Sequence, residues 1–328
     1  MAVKEEEIRP EKVFNEYLEL ARKDITTFFS NVQRRDFACP VCEVIGELWV
    51  EKNGFQYRKC SSCLSIFVSP RPVREAFDAY YTDSPSTKFW ATSFYKITES
   101  ARREKLWKPK AESVARSIRQ MEGDRKISYI IDIGGGYGIF DEEIRQIIDI
   151  HPIVIEPSVH LAEVCRSKNL EVIEKFMEDI APGELPEGRK CFVSFELFEH
   201  LHDPLVFLET VYRTMQKDDV LIFTTLSGMG LDILVLGENA KALSPPHHLN
   251  FMNPKSIAKL LEKVGFEVIE AKTPGKLDVD ILNNGKHFIK DIFWKNLLEY
   301  ADGEELERIQ EFISDAGLSS HMMITCIK

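Results

Sequence analysis

Two cysteine pairs, Cys39-Pro-Val-Cys42 and Cys60-Ser-Ser-Cys63, carry the plainest chemical spacing in the chain. Each C-x2-C turn can point two thiolates at one ion, and four thiolates complete a tetrahedron. Four protein ligands leave no open position, so Zn2+ bound here is expected to be structural. The segment is too short to build a sufficient core alone, so the metal is expected to supply much of its folding free energy. The remaining thiols, Cys165, Cys191 and Cys326, fall in helix or strand patterns and read as small core residues.

A second constellation is Tyr129-Ile-Ile-Asp132-Ile-Gly134-Gly-Gly136-Tyr-Gly138. It reads as a buried strand, a glycine turn and a helix start. Glycines at 134, 136 and 138 let the backbone turn sharply and approach a ligand. The helix N-terminus beyond them offers unpaired N–H groups. Asp132, at the strand end, can accept from an ammonium. The next strand ends in Val154-Ile-Glu156, where a carboxylate can take both hydroxyls of a ribose.

Histidines form the third. The fourth strand runs through Val193-Ser194-Phe195 into Glu196-Leu-Phe-Glu199-His200-Leu-His202-Asp203-Pro204. The fifth is followed by Ser244-Pro-Pro-His247-His248-Leu-Asn250-Phe251. A histidine near neutral pKa can take a proton from an acceptor while a group is transferred to it. His200 and His248 are the two candidate bases. His202 is expected to be exposed, and Asp203-Pro204 to start a helix.

Elements must bring these residues together. Apolar runs at 128–133, 153–156, 171–174, 191–195, 220–225 and 267–272 alternate with helical patterns at 139–149, 158–168, 204–216 and 254–264. Such alternation indicates a mainly parallel sheet covered on both faces, with ligands outside the carboxyl ends of its strands. Helical patterns also occupy 8–35, 73–81, 96–122 and 277–316, and the last apolar run is 322–328. The expected organisation is an N-terminal helix (1–36), a zinc ribbon of short hairpins (37–72), a helical linker or cap (73–125) and an α/β domain (126–328) with an insertion at about 275–318. The insertion would roof the acceptor pocket or extend a homodimer surface.

The stretch 128–273 resembles a class I S-adenosylmethionine-dependent methyltransferase. The resemblance implies a Rossmann-like seven-stranded mixed sheet, order 3-2-1-4-5-7-6, whose last strand is antiparallel. It implies S-adenosyl-L-methionine as cofactor. The glycine loop would face its methionine part, with Phe195 counted among the cofactor-facing residues. Glu156 would hold the ribose, Met177 would pack the adenine, and Glu178 or Asp179 would accept from the adenine amine. The run Glu199-His200-Leu-His202-Asp203-Pro204 resembles the E-H-x-x-D-P signature of small-molecule methyltransferases. An N-terminal zinc ribbon on this domain, with the run Cys60-Ser-Ser-Cys-Leu-Ser-Ile-Phe-Val-Ser-Pro-Arg-Pro72, resembles one broad family associated with sugar, polysaccharide or secondary-metabolite methylation. The acceptor implied is a sugar or nucleotide-sugar hydroxyl. Sugar C-methyltransferases carry Tyr and Glu where this chain has Pro245 and His247, a departure that argues against carbon methylation.

Composition narrows the alternatives. The chain has 328 residues, 42 Lys+Arg against 53 Asp+Glu, and a net charge of −11. A phosphate-tracking protein would be basic, so an rRNA or tRNA methyltransferase is disfavoured. Residues 36–72 carry as many acids (Asp36, Glu43, Glu47, Glu51) as bases (Lys52, Arg58, Lys59, Arg71), which makes a poor RNA platform. A non-catalytic binding protein on a methyltransferase scaffold is the other alternative. Arg71, Arg74 and Lys88 read as surface charge; Phe89, Trp90 and Tyr95 read as core more than as a cofactor cover. No apolar run suits a membrane span, and the first residues lack the apolar stretch of a secretory signal. With 7 Cys, an odd number, free thiols or metal ligands in a reducing cytoplasm are expected.

Overall fold

Short apolar runs become strands where β-branched residues dominate. A computed structural model describes residues 4–123, 125–181 and 183–328. Its strands are β1 (Arg34–Arg35), β2 (Glu47–Lys52), β3 (Phe55–Lys59), β4 (Ile66–Val68), β5 (Arg71–Pro72), β6 (Tyr129–Ile133), β7 (His151–Ile155), β8 (Glu171–Ile173), β9 (Lys190–Phe195), β10 (Val220–Leu226), β11 (Asn250–Phe251), β12 (Glu267–Lys272) and β13 (His321–Ile327). Among the described residues, seven of these form one sheet in the order β12-β13-β10-β9-β6-β7-β8. Strands β6 to β10 pair in parallel, and β13 runs antiparallel to β10 and β12. Numbered within the sheet, this is 3-2-1-4-5-7-6, as the resemblance implies.

Side chains alternate along a strand, so each strand feeds two cores. Ile131, Ile153 and Phe192 pack against Phe207, Leu208, Ile257 and Leu261 of helices Pro204–Thr214 and Pro254–Val264. Ile130, Cys191, Val193 and Ile222 pack on the other face against Val114, Ile118, Phe140 and Ile144. The central strands are buried along their length, which is why they read as unbroken apolar runs.

Between the predicted helices at 73–81 and 96–122 the structure differs. Helix Arg74–Asp83 is followed by helical turns from Pro85 to Met121, with π-helical turns at Trp90–Phe94 and Arg103–Trp107. Ser84 starts this run: its hydroxyl accepts the Thr87 N–H at 3.3 Å, and Pro85 takes the first helical position, where no N–H is needed. The wide turns shift the periodicity, which hides the helix from a 3.6-residue pattern. Trp90 and Phe94 stack at 4.1 Å and join Phe14 and Tyr17 in a core, while Tyr95 stacks on Tyr137 of the glycine loop at 4.2 Å.

The ribbon hairpins β2-β3-β4 form as expected, but their sheet gains a fourth strand from far along the chain. β11 pairs with β4, Asn250 opposite Phe67 and Phe251 opposite Ile66. The histidine segment before β11 is therefore anchored to the ribbon. Helices Asp278–Asn284, Ile292–Tyr300 and Gly303–Asp315 form the insertion between β12 and β13. Their Val279, Leu282 and Ile313 share a core with ribbon residues Phe55 and Tyr57. Among the described residues, no helix is long and apolar enough to cross a membrane.

Candidate functional site

The glycine turn after β6 holds Gly134, Gly136 and Gly138 at φ of +74°, +57° and +62°, conformations that L side chains rarely adopt. Gly135, not singled out from sequence, is confined differently: a Cβ there would lie 2.7 Å from Val154 Cγ1 and 2.9 Å from Asp132 Oδ2. Glu156 closes the loop from the end of β7. Its Oε2 accepts the Gly136 N–H at 3.0 Å and its Oε1 the Ser158 N–H at 2.9 Å. Burial raises its pKa, and these two amides oppose the shift. A carboxylate offers about four acceptor positions, so two remain after the amides are served. Asp132 is 2% exposed and its Oδ1 has no hydrogen-bond partner. Burial, reinforced by Asp141, pushes its carboxyl well up. A buried acceptor without a donor fits an ammonium group arriving with a ligand.

Other residues proposed for the cofactor lie around this edge. Met177 is buried in the core beside Ile153 and Ile155; Glu178 is half-buried and Asp179 exposed on the same short turn. Phe195 packs between Phe140, at 4.6 Å between ring centres, and Trp107, at 6.1 Å.

Past β9 the chain kinks at Glu196, a non-glycine residue at φ +54°. Burial alone would raise the Glu196 pKa, but Lys110 and His321 hold it well below the usual carboxylate range. Its Oε1 accepts from Thr224 Oγ1 at 2.7 Å, His321 Nε2 at 2.8 Å and Lys110 Nζ at 3.2 Å. Glu199 is 1% exposed and accepts the Thr225 hydroxyl on Oε2 at 2.8 Å. Burial and nearby Glu196 push it up to about 8.

His200 and His248 meet, their ring centres 4.8 Å apart. His248 Nδ1 lies 2.6 Å from the Ala242 carbonyl oxygen. A carbonyl can only accept, so Nδ1 carries the hydrogen and Nε2 is left with its lone pair. Burial lowers His248 to about 4 and lowers His200 as well. His247 is spent elsewhere: it is buried, bonded to Tyr80 Oη at 2.6 Å, and pushed down to about 3 by burial. Glu196, Lys110 and His321 were not singled out from sequence, and Glu199 entered only as the first residue of the E-H-x-x-D-P run. The Glu196-x-x-Glu199-His200 spacing was the available signal.

Two expectations are corrected. His202 is not free at the surface: its Nε2 bonds the Pro72 carbonyl at 2.9 Å, and its ring lies edge-on to Phe77 at 5.5 Å. Arg71 is not surface charge but 2% exposed, bonding main-chain oxygens of Val68, His202 and Leu249 and the Asn250 side chain. Arg74 and Lys88 are exposed.

The four ribbon cysteines converge, with sulfurs within 4.8 Å of one another. The two knuckles repeat one geometry. Cys39 N–H bonds Val44 O and Glu43 N–H bonds Cys39 O; Cys60 N–H bonds Ser65 O and Leu64 N–H bonds Cys60 O. Glu43 and Leu64 take matching φ of +60° and +63°. The donor set is that of a tetrahedral thiolate site.

Residues 102–271 match a family described as a methyltransferase domain. The chain belongs to that family. Its strand order and its strand–glycine turn–helix start are those of the class I, S-adenosylmethionine-dependent members. No curated protein matches the chain. Among solved structures, it is similar to a chain of the complex between the Haloferax volcanii Trm112 methyltransferase activator and a putative methyltransferase (13% identity, 73% of this chain and 95% of that one, TM-score 0.48). It is also similar to the plantazolicin methyltransferase BpumL in complex with SAH (13%, 76% and 93%, TM-score 0.48). A third is a putative sarcosine dimethylglycine methyltransferase from Galdieria sulphuraria (14%, 67% and 85%, TM-score 0.44).

Proposed function

We propose that this methyltransferase transfers a methyl group from S-adenosyl-L-methionine to a small polar acceptor, a sugar or nucleotide-sugar hydroxyl, with His248 or His200 as general base. The observation that carries this reading is the free Nε2 of His248, its tautomer set by the Ala242 carbonyl, on the same sheet edge as the glycine turn. The cofactor's sulfonium makes the methyl a good electrophile, so the protein has chiefly to align, exclude water and manage one proton. Glu156 would use its two remaining acceptor positions for the ribose hydroxyls. Asp132 would take the ammonium, Gly134, Gly136 and Gly138 would let the backbone close on the methionine part, and Met177 with Glu178 would meet the adenine. Cys39, Cys42, Cys60 and Cys63 would hold one structural Zn2+.

Loss of Glu156 removes a charged acceptor from both ribose and loop. Calorimetry on Glu156→Ala should show S-adenosylhomocysteine binding weakened by roughly 1–3 kcal/mol. Unchanged affinity would remove Glu156 from the cofactor site, and no heat with the unaltered protein would favour a scaffold without catalysis.

The base must be neutral to accept a proton. His248 is lowered to about 4, so its neutral form is present above that value and is lost as pH falls through it. The acid limb of kcat/KM should therefore lie near pH 4–5, not near the 6.5 of an unperturbed imidazole. His200→Ala and His248→Ala should keep S-adenosylhomocysteine affinity and lower turnover by about 100-fold or more. Full activity in both variants would sink the base assignment. The acceptor is tested by label transfer from the cofactor to nucleotide-sugars, glycans and RNA in parallel; transfer to RNA alone would overturn the sugar reading.

A further inference from the structure

The same corner holds three converging electron-pair donors. Glu199, His200 and His248 each present one ligand atom, and these atoms lie within 4.8 Å of one another. His200 Nε2 is 4.0 Å from Glu199 Oε1. Glu199 Oε2 is engaged by Thr225, which leaves Oε1 for another partner. His248 Nδ1 is engaged by the Ala242 carbonyl, which leaves Nε2. An outer hydrogen bond that fixes a ligand's tautomer and aim is the usual support of a metal-binding histidine or carboxylate. Lys110 and His321 are paired with Glu196, whereas Arg9 lies nearby with its Nε buried and unpartnered.

We propose that Glu199, His200 and His248 form a second metal site, distinct from the cysteine cluster, that takes a divalent transition-metal cation such as Mn2+, Fe2+ or Co2+. Two imidazoles and one carboxylate are the donors such ions accept, and three protein ligands leave coordination positions open. Bonds of about 2.1 Å at octahedral right angles would set ligand atoms roughly 3.0 Å apart, so side-chain adjustments of about one to two ångströms close the site. Resting on the acceptor reading above, the open positions suit an acceptor with two adjacent oxygens, a vicinal diol. His248 Nε2 cannot be ligand and base at once. With a cation bound, both imidazoles would serve as ligands, the cation would lower the pKa of the hydroxyl, and water would carry its proton away.

The test is Mn2+ titration of the full-length, zinc-replete protein, followed by electron paramagnetic resonance of free Mn2+. Thiolates do not select Mn2+, so the cysteine cluster stays silent. One Mn2+ per chain is expected, weakened at least tenfold in Glu199→Gln and His248→Ala, with melting temperature and S-adenosylhomocysteine affinity retained. Wild-type protein that leaves Mn2+ and Co2+ free at about 1 mM overturns the proposal, as does equal binding by wild type and both variants. Cation failure with S-adenosylhomocysteine still bound rejects this site alone, whereas failure of S-adenosylhomocysteine rejects the enzymatic reading itself.

Discussion

Cys60→Ser should leave the protein without its ribbon metal and with little folded population at 37 °C. Cys60 is fully buried, and the cluster around it is small: Cys39, Cys60 and Phe67 are its buried members, with Phe37 and Val41 packed alongside. Strand β2 has no fully buried residue, only Trp49 and Val50 packed half-buried against the neighbouring core. Phe55, Tyr57, Ile66 and Val68 anchor the strands in a larger core, so it is the knuckle end that would depend on the proposed Zn2+, whose binding in small zinc modules is worth about 10–16 kcal/mol. That is comparable to the roughly 5–15 kcal/mol that holds an ordinary domain folded. The damage should spread, because β4 pairs with β11 and Tyr57 Oη donates to the His248 carbonyl at 2.9 Å. Metal analysis of freshly purified, reduced protein should give about one zinc per chain for the unaltered sequence and none for the variant. Thermal denaturation should show the loss directly. Zinc-free wild type, or a variant that melts with wild type, would overturn the ribbon assignment.

What the sequence makes legible is what is local or periodic. The strand of Tyr129–Ile133, the glycine turn and Glu156 lie within about thirty residues, and their order alone implies their adjacency. The Cys39–Cys42 and Cys60–Cys63 knuckles are equally local. His200 and His248 could be placed on one sheet edge because parallel strands deliver their following loops to the same side. Their contact, and the use of His247 by Tyr80, depend on packing that no spacing encodes. The helix from Pro85 escapes because π-helical turns break its period. β11 escapes because two residues make no pattern; its partner β4 lies at 66–68. Glu199 is legible as the first residue of the E-H-x-x-D-P run, but its burial is not: a carboxylate in a polar-looking loop gives no sign that the fold will isolate it.

Arg71 is the sharpest case of a residue whose role is set by distant partners, and its removal is the second large effect expected. Read in sequence it sits between two prolines and looks like surface charge. In the fold its guanidinium joins three segments. Nε donates to Val68 O at 3.3 Å; one terminal nitrogen donates to His202 O, and the other to Leu249 O at 3.3 Å and Asn250 Oδ1 at 2.9 Å. The guanidinium also lies 3.6 Å from the Phe37 ring centre. His202 is two residues past His200 and Leu249 follows His248, so one planar fork ties both histidine loops to the ribbon. Arg71→Ala leaves buried carbonyls unpaired and opens a void. By analogy with broken buried polar clusters it should cost about 3–5 kcal/mol, a fall of roughly 4–7 °C in melting temperature for a chain of this length. Arg71→Lys keeps the charge but not the fork, and should recover part of the stability. Turnover should fall in both variants while S-adenosylhomocysteine affinity holds, because the glycine turn and Glu156 are built without Arg71. Should Arg71→Ala melt within about 2 °C of wild type and turn over normally, the ribbon does not position the histidine loops through this side chain, and the β4–β11 pairing must do so alone.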